Sequence, residues 1–147
     1  MRSALNGLSA LVVDDNTFVR DVVVGMLEDA QLSNVAAASD GEAALGLLRD
    51  GLRPDLIICD INMRPMNGLE LIELIQANQE MALDPAVIVL TACPDQAHLA
   101  RARACEVDAF LLKPASDDML LSCIEQVLDR RQAKARKPRP CLGRKAS

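Results

Sequence analysis

Aromatic residues are nearly absent from this sequence of 147 residues, which contains no Trp, no Tyr and only two Phe. Because half of the residues are nonetheless apolar, the core must be built from aliphatic side chains. The length fits one domain with a single core. The two aromatic residues are Phe18 and Phe110.

The cysteine and histidine pattern argues against a zinc site. The sequence has five Cys, no C-x-x-C pair and a single His, so no spacing typical of zinc ligands occurs. Several cysteines lie in apolar patterns, which is typical of reduced thiols in a cytoplasmic protein. No apolar run reaches the ~18 residues that a membrane-spanning helix needs, and we expect no membrane association.

Charge is distributed unevenly along the chain. Residues 1–129 hold all 21 acids but only 8 of the 16 basic residues, and the other 8 lie in residues 130–147. Residues 132–147 lack apolar periodicity and contain two prolines, which predicts a disordered basic tail after a domain of residues 1–131. The tail could serve solubility, contact an acidic partner or nucleic acid, or be a linker; the first is favoured. Because the tail has no aromatic residues, we expect no sequence-specific binding of nucleic acid.

Five apolar runs alternate with five helical patterns. The predicted strands are residues 8–13, 34–39, 55–60, 86–90 and 108–112, and the predicted helices are 16–30, 41–50, 69–78, 95–105 and a last one from 116. Asn16 and Ser116 are expected to cap helices, and Gly51 to end one. This alternation predicts right-handed βαβ connections and a doubly wound parallel sheet of the α/β class.

Polar residues follow four of the predicted strands. Asp14 and Asp15 follow the first strand, Asp60 ends the third, Thr91 follows the fourth and Lys113 follows the fifth. Because the carboxyl ends of parallel strands meet at one edge of the sheet, we expect these residues in one pocket. Asp60 alone could equally be a helix cap or a loop residue. The polar residues expected beside it at the other strand ends make it a site candidate.

Three carboxylates in one pocket require positive charge. A pair at ~4 Å repels by ~4 kcal/mol at an effective dielectric constant of about 20. Lys113 supplies one charge, and a hard divalent cation such as Mg²⁺, bound through oxygens, would supply the rest. A metal, an ammonium and a hydroxyl around a free carboxylate indicate phosphoryl transfer, with Asp60 as nucleophile and an acyl phosphate as product. A permanent Mg²⁺ or Ca²⁺ site is the alternative, but it leaves Thr91 and Lys113 unexplained.

Over roughly residues 7–130 the sequence resembles the receiver domains of two-component response regulators. The motifs that carry the resemblance are Asp14-Asp15, the stretch D-I-N-M…M-N-G-L-E-L from Asp60 to Leu71, Thr91-Ala92, and D-A-F-L-L before Lys113-Pro114. The resemblance implies a flavodoxin-like (βα)5 fold with strand order 2-1-3-4-5. It also implies a stand-alone regulator of the chemotaxis type.

The resemblance assigns a role to each residue of the pocket. It implies that Asp60 is the phosphoacceptor and that Mg²⁺ is bound by Asp15, Asp60 and the main-chain carbonyl of Asn62, with Asp14 acting through a water. Thr91 and Lys113 are expected to hold phosphoryl oxygens. Phe110 matches an aromatic switch position that works with Thr91, and a simple core aromatic is the alternative.

The same resemblance implies a signalling function. The phosphoryl group is expected from the His of a sensor kinase or phosphotransfer protein. The chain would catalyse its own phosphorylation and slow autodephosphorylation rather than act as a classical enzyme. A face made of the fourth helix, the fifth strand and the fifth helix would bind a protein effector according to phosphorylation state. A phosphate sink or shuttle in a phosphorelay, with no effector of its own, is the alternative.

The sequence departs from the receiver pattern near the acceptor. Receivers usually have Pro four residues after the acceptor, whereas here that position is Arg64 and Pro65 follows it. This adds a cation at the rim of the pocket. Cys93, two residues after Thr91, is a second peculiarity. The peptide bond before Pro114 is cis in the family, an isomer that is accessible at X-Pro bonds.

Overall fold

We describe the fold from a computed structural model, over residues 7–63, 66–78, 83–92, 95–113 and 115–136, with the backbone alone for residues 132–136. Within these ranges the chain alternates five strands with five helices. The strands are β1 (Ser9–Val13), β2 (Asn34–Ala38), β3 (Leu56–Asp60), β4 (Ala86–Thr91) and β5 (Ala109–Leu112). The helices are α1 (Thr17–Asp29), α2 (Gly41–Arg49), α3 (Gly68–Ala77), α4 (Gln96–Ala104) and α5 (Asp117–Arg136).

The strands form one parallel sheet in the order β2-β1-β3-β4-β5. Val13 pairs with Cys59, and Thr91 pairs with Leu112. The carboxyl ends of β1, β3, β4 and β5 therefore lie along one edge of the sheet. The predicted α/β fold with a doubly wound parallel sheet is confirmed, as is the strand order that the resemblance implied.

The sheet is covered on both faces by aliphatic side chains. Strands β3 and β4 are buried along their whole length. Because side chains alternate between the faces of a strand, Ile57 and Cys59 pack with α2 and α3, whereas Leu56 and Ile58 pack with α1 and α5. Each fully buried Leu or Ile stabilises the fold by about 1.5–3 kcal/mol. The third strand is thus held firmly on both sides up to Asp60, its last residue.

Two helices begin, and one ends, at the residues that the sequence predicts. The side chain of Asn16 accepts a hydrogen bond from the backbone N–H of Val19 at 3.0 Å, at the start of α1. Ser116 accepts one from the N–H of Met119 at 3.1 Å, at the start of α5. Gly51, with a φ of 114°, follows the end of α2 in a left-handed conformation that glycine adopts without strain.

Helix α5 continues to Arg136, five residues beyond the predicted domain end at 131. The predicted disorder is therefore wrong for residues 132–136. These residues read Gln-Ala-Lys-Ala-Arg, all strong helix formers, and this propensity outweighs the repulsion between their like charges. Pro138, which cannot continue a helix, follows two residues later. Residues 137–147 lie outside the described ranges, and their disorder stays a prediction.

The helices differ in how deeply they are anchored. Helix α4 is polar and rich in Ala, and within the described ranges it buries only Ala102. Helix α5 is the longest, with 20 residues, and charged residues occur along its length. In the part of the chain that the structure describes, no helix combines the length and apolar character that crossing a membrane requires.

Candidate functional site

The residues predicted at the strand ends meet at one edge of the sheet. Asp60 ends β3 and is 6% exposed, Asp14 directly follows β1 and is also buried, and Thr91 ends β4 with no exposed surface. Lys113 directly follows β5, and its ammonium reaches Asp14 and Asp60. The expectation that these residues share one pocket is confirmed by the structure.

Lys113 supplies the positive charge at the centre of this pocket. Its Nζ lies 2.7 Å from Oδ2 of Asp14 and 3.3 Å from Oδ2 of Asp60. Burial lowers the pKa of Lys113, but the hydrogen bond to Asp14 and the charge on Asp60 outweigh it and hold that pKa above its ordinary value. The side chain is therefore a permanent cation at neutral pH.

The carboxyl group of Asp60 is held in a less polar environment than a surface carboxylate. Burial raises the pKa of Asp60 above its usual value, and the charge on Asp14 adds to this effect. The Lys113 ammonium and the backbone N–H of Asn62, which donates to Oδ1 at 3.2 Å, act in the opposite direction. A carboxylate in such surroundings is poorly solvated, which increases the benefit of binding a cation beside it.

Three carboxylates converge where a cation could bind. Asp14, Asp15 and Asp60 each offer an oxygen, and these three atoms lie within 4.8 Å of one another. Lys113 balances only one of the three charges. All the donors are hard oxygens, and Asp15 is exposed, so that waters can complete a coordination sphere. This donor set fits Mg²⁺, which is usually bound through one or two carboxylates and keeps several waters.

Thr91 is tied to the loop that follows Asp60. Its hydroxyl accepts a hydrogen bond from Nδ2 of Asn62 at 3.1 Å, and its main-chain carbonyl accepts one from the backbone N–H of Lys113 at 2.8 Å. The contact of the Asn62 side chain with the Thr91 hydroxyl was not foreseen from the sequence. A polar residue two positions after the acceptor was its only signal in the sequence.

Phe110 lies on the same face of the sheet as Thr91. Thr91 pairs with Leu112 and Phe110 pairs with Val89, so the two residues are diagonal neighbours on adjacent strands. The Phe110 ring is half-buried and packs against the apolar cluster that covers this face. The position therefore allows both interpretations drawn from the sequence, a core aromatic and a ring that exchanges places with a neighbour.

Helix α3 begins in direct contact with Asp60. An added Cβ at Gly68 would overlap the main-chain carbonyl of Asp60 and would come within 3.2 Å of Sγ of Cys59. Asn67 and Glu70 form a capping box just before this point, with two reciprocal hydrogen bonds of 2.8 Å. The sequence showed Gly68 only as part of the motif that follows Asp60, so the close approach that excludes a side chain was not foreseen.

Cys59 lies beneath the pocket as an inert thiol. Burial raises its pKa to about 12, and the charges on Asp60 and then Asp14 contribute to the shift. A thiol with this pKa is uncharged at neutral pH and is a poor nucleophile and metal ligand. Cys59 therefore does not compete with the carboxylates of the pocket as a nucleophile or a metal ligand.

Arg20 of α1 is another contact that was not foreseen. Its Nη1 donates to the main-chain carbonyl of Asp14 at 2.8 Å. The only signal in the sequence was a basic residue one helical turn into α1. Arg64, Pro65, Cys93 and Pro114, which the sequence singled out, lie outside the described residues.

Comparison with known proteins identifies the family. Residues 10–125 match the family described as "Response regulator receiver domain". The chain is 30% identical over 131 residues to chemotaxis protein CheY-3 of Vibrio cholerae, an alignment that covers 88% of this chain and 99% of that protein. It is 36% identical over 129 residues to the Regulator of RpoS of Escherichia coli K12, covering 84% of this chain but 37% of that longer protein.

Solved structures agree with this comparison. The structure of Vibrio cholerae chemotaxis protein CheY4 superposes with a TM-score of 0.75 at 29% identity, covering 82% of this chain and 98% of that one. The sheet order, the acidic pair and the Lys at the end of β5 are thus found in a chain whose sequence matches the family over most of its length. The chain belongs to the family of response regulator receiver domains.

Proposed function

We propose that the chain is a response regulator receiver domain that accepts a phosphoryl group on Asp60 in a Mg²⁺-dependent reaction. The observation that carries the proposal is the position of Asp60 at the end of β3, where its Oδ2 lies 3.3 Å from Nζ of Lys113 and its carboxylate lies near the acidic pair that follows β1. The donor of the phosphoryl group is a phosphorylated His of a sensor kinase or phosphotransfer protein.

The transfer converts one phosphorylated side chain into another. A carboxylate oxygen of Asp60 forms a bond to phosphorus, the bond between phosphorus and the imidazole nitrogen of the donor breaks, and its electron pair stays on that nitrogen. The product is an acyl phosphate on Asp60. Hydrolysis of this bond by water, slowly and without a partner, returns the carboxylate and releases inorganic phosphate.

Each polar residue of the pocket has a role in the proposal. Asp15, Asp60 and the main-chain carbonyl of Asn62 would hold the Mg²⁺ ion, with Asp14 acting through a water. The ion, when bound, supplies positive charge to the phosphoryl oxygens. Lys113 already lies beside Asp60 and needs only a small movement to pair with a phosphoryl oxygen.

Thr91 and Phe110 form the proposed switch. The Thr91 hydroxyl leaves Asn62 and donates to a phosphoryl oxygen, and the Phe110 ring moves towards the space that the Thr91 side chain vacates. Their position as diagonal neighbours on one sheet face supports this coupling. A shift from 1:99 to 99:1 between two states requires ~5.5 kcal/mol of differential binding, which charge-assisted bonds to a dianionic group can supply.

The proposed output is a protein-binding face formed by α4, β5 and α5. Two large apolar side chains, Leu112 of β5 and Met119 of α5, are 55% and 53% exposed there. Helix α4 beside them buries only Ala102 among its described residues, so it can shift at little cost.

We place the protein in the cytoplasm, which agrees with Cys59, Cys105 and Cys123 being free thiols within the described ranges.

Labelling with acetyl phosphate tests the proposal. The wild-type chain should take up one phosphoryl group with Mg²⁺ and none with EDTA, and Asp60→Asn should take up none. Asp29→Asn, a change at an exposed acid at the end of α1, should behave as wild type. Equal, acid-stable and base-labile incorporation in wild type and Asp60→Asn would refute the assignment. A protein captured only by the beryllofluoride-loaded form would separate a signalling module from a phosphate sink.

A further inference from the structure

Hydrogen bonds fix the side chain of Asp14 in the turn that carries the acidic pair. The carboxylate of Asp14 accepts hydrogen bonds from Lys113 at 2.7 Å and from the backbone N–H of Asn16 at 2.9 Å. Asp15, by contrast, is exposed at the rim of the pocket. The direction in which its carboxylate points therefore depends on the orientation of the main chain that carries it.

Arg20 forms a hydrogen bond with that main chain. Its Nη1 donates at 2.8 Å to the carbonyl of Asp14, which belongs to the peptide group joining Asp14 to Asp15. Arg20 is itself fixed in α1, since its backbone N–H donates to the carbonyl of Asn16 at 2.9 Å. Because a peptide group is planar, a bond to its carbonyl also restrains the Cα of the next residue, Asp15.

We infer that Arg20 is a positioning residue for the divalent cation of this pocket, acting through the main chain of Asp15. The inference rests on the proposed function, because it requires the cation site. Mg²⁺ demands nearly ideal octahedral geometry, so a carboxylate that swings freely at the rim binds it less well. Groups that orient metal ligands typically contribute 10- to 100-fold to metal affinity.

The charge of Arg20 acts in the opposite direction. A guanidinium near the pocket repels a divalent cation, so a purely electrostatic role predicts that removal of Arg20 strengthens Mg²⁺ binding. A positioning role predicts that removal weakens it. The sign of the change therefore separates the two roles.

Arg53 offers a matched control. Its guanidinium also donates to main-chain carbonyls, those of Leu48 and Leu52, both at 2.8 Å. It precedes β3 and so lies at the opposite edge of the sheet from the pocket. Loss of Arg53 removes comparable hydrogen bonds without touching the acidic turn.

Titration of the full chain with Mg²⁺ by isothermal calorimetry tests the inference. We expect the dissociation constant of Arg20→Ala to be 10- to 100-fold higher than that of wild type, and that of Arg53→Ala to be unchanged. Arg20→Gln, which keeps an N–H donor but loses the charge, should fall between Arg20→Ala and wild type. Urea unfolding in EDTA should show that Arg20→Ala is folded; if it is not, Arg20→Gln carries the test by the same criterion.

Two results would overturn the inference. An Mg²⁺ affinity of the folded Arg20 variant equal to or above that of wild type would show that Arg20 does not position the site. An equal loss of affinity in Arg53→Ala would show that the effect is general destabilisation. Both leave the proposed function standing, because wild type then still binds Mg²⁺. Absence of binding by wild type would instead remove the cation site itself, and the inference with it.

Discussion

The ammonium of Lys113 bridges two carboxylates, at 2.7 Å from Asp14 and 3.3 Å from Asp60. A third carboxylate, that of Asp15, has an oxygen within 4.8 Å of theirs. One positive charge is thus set against three negative ones, in a pocket where Asp14 and Asp60 are buried. The proposed role of this excess negative charge is to bind a divalent cation, beside which Asp60 would receive a phosphoryl group.

The first prediction concerns stability and pH. Asp60→Asn should raise the melting temperature at pH 7 in EDTA, because burial raises the pKa of Asp60 in the folded state above the ordinary 3.8. A carboxyl group with a raised folded-state pKa stabilises the fold below pH 3.8, and this contribution is lost as pH rises through the folded-state pKa. The advantage of the variant should therefore be largest at neutral pH and should shrink on acidification. A wild type that is the more stable at pH 7 would contradict this.

The second prediction concerns the close approach of α3 to the acceptor. Gly68→Ala should lower the free energy of unfolding by about 1–3 kcal/mol, because the added methyl group overlaps the Asp60 carbonyl. It should also reduce phosphoryl incorporation at Asp60. Gly46→Ala is the control: its Cβ meets open space within α2, so it should stabilise by about 0.5–1 kcal/mol and leave labelling unchanged. Urea unfolding and labelling measure both effects, and equal behaviour of the two variants would refute the steric explanation.

The third prediction separates the chemistry of Thr91 from its packing. Thr91→Val keeps the shape of the side chain but removes the hydroxyl that Asn62 contacts at 3.1 Å. Loss of this hydrogen bond should lower the free energy of unfolding by about 1–2 kcal/mol. The cost stays this small because Asn62 is exposed and water can replace its partner. The response of α4 to beryllofluoride, measured by hydrogen exchange, should disappear. A normal response in Thr91→Val would exclude the hydroxyl from the switch.

The fourth prediction concerns Phe110. Phe110→Ala should still be labelled at Asp60 but should no longer pass the change to α4 and α5. Because the ring is half-buried, its loss should lower the free energy of unfolding by about 2 kcal/mol. Phe18, the other aromatic residue, is 76% exposed, and Phe18→Ala should change stability by under about 0.5 kcal/mol and leave the coupling intact. Hydrogen exchange of the beryllofluoride-loaded variants is the measurement; a normal response in Phe110→Ala would favour the simple core aromatic.

The central pocket could be predicted from the sequence because of a topological rule. Asp14, Asp60, Thr91 and Lys113 each follow an apolar run, and parallel strands bring their carboxyl ends to one edge. Periodicity along the chain is enough to apply this rule, so both the sheet and the grouping of these residues were foreseen. The same holds for the caps Asn16 and Ser116, whose residue types match their positions.

Other contacts depend on geometry that periodicity does not contain. The reach of Arg20 to the Asp14 carbonyl depends on how α1 leaves the sheet, and the contact of Gly68 with Asp60 depends on the path of a loop. For the end of α5, two local signals disagreed. The like charges after residue 131 argued against a helix, but the helix propensity of residues 132–136 was the stronger influence.

Mapping the modified residue tests the central claim most directly. Borohydride reduces an acyl phosphate on aspartate to homoserine, so a digest of the chain treated with acetyl phosphate and Mg²⁺ identifies the acceptor by mass spectrometry. We predict homoserine at position 60 and at no other position, and none after treatment in EDTA. Homoserine at Asp14 or Asp15, or an unmodified Asp60 in a chain that carries the phosphoryl group elsewhere, would contradict the account.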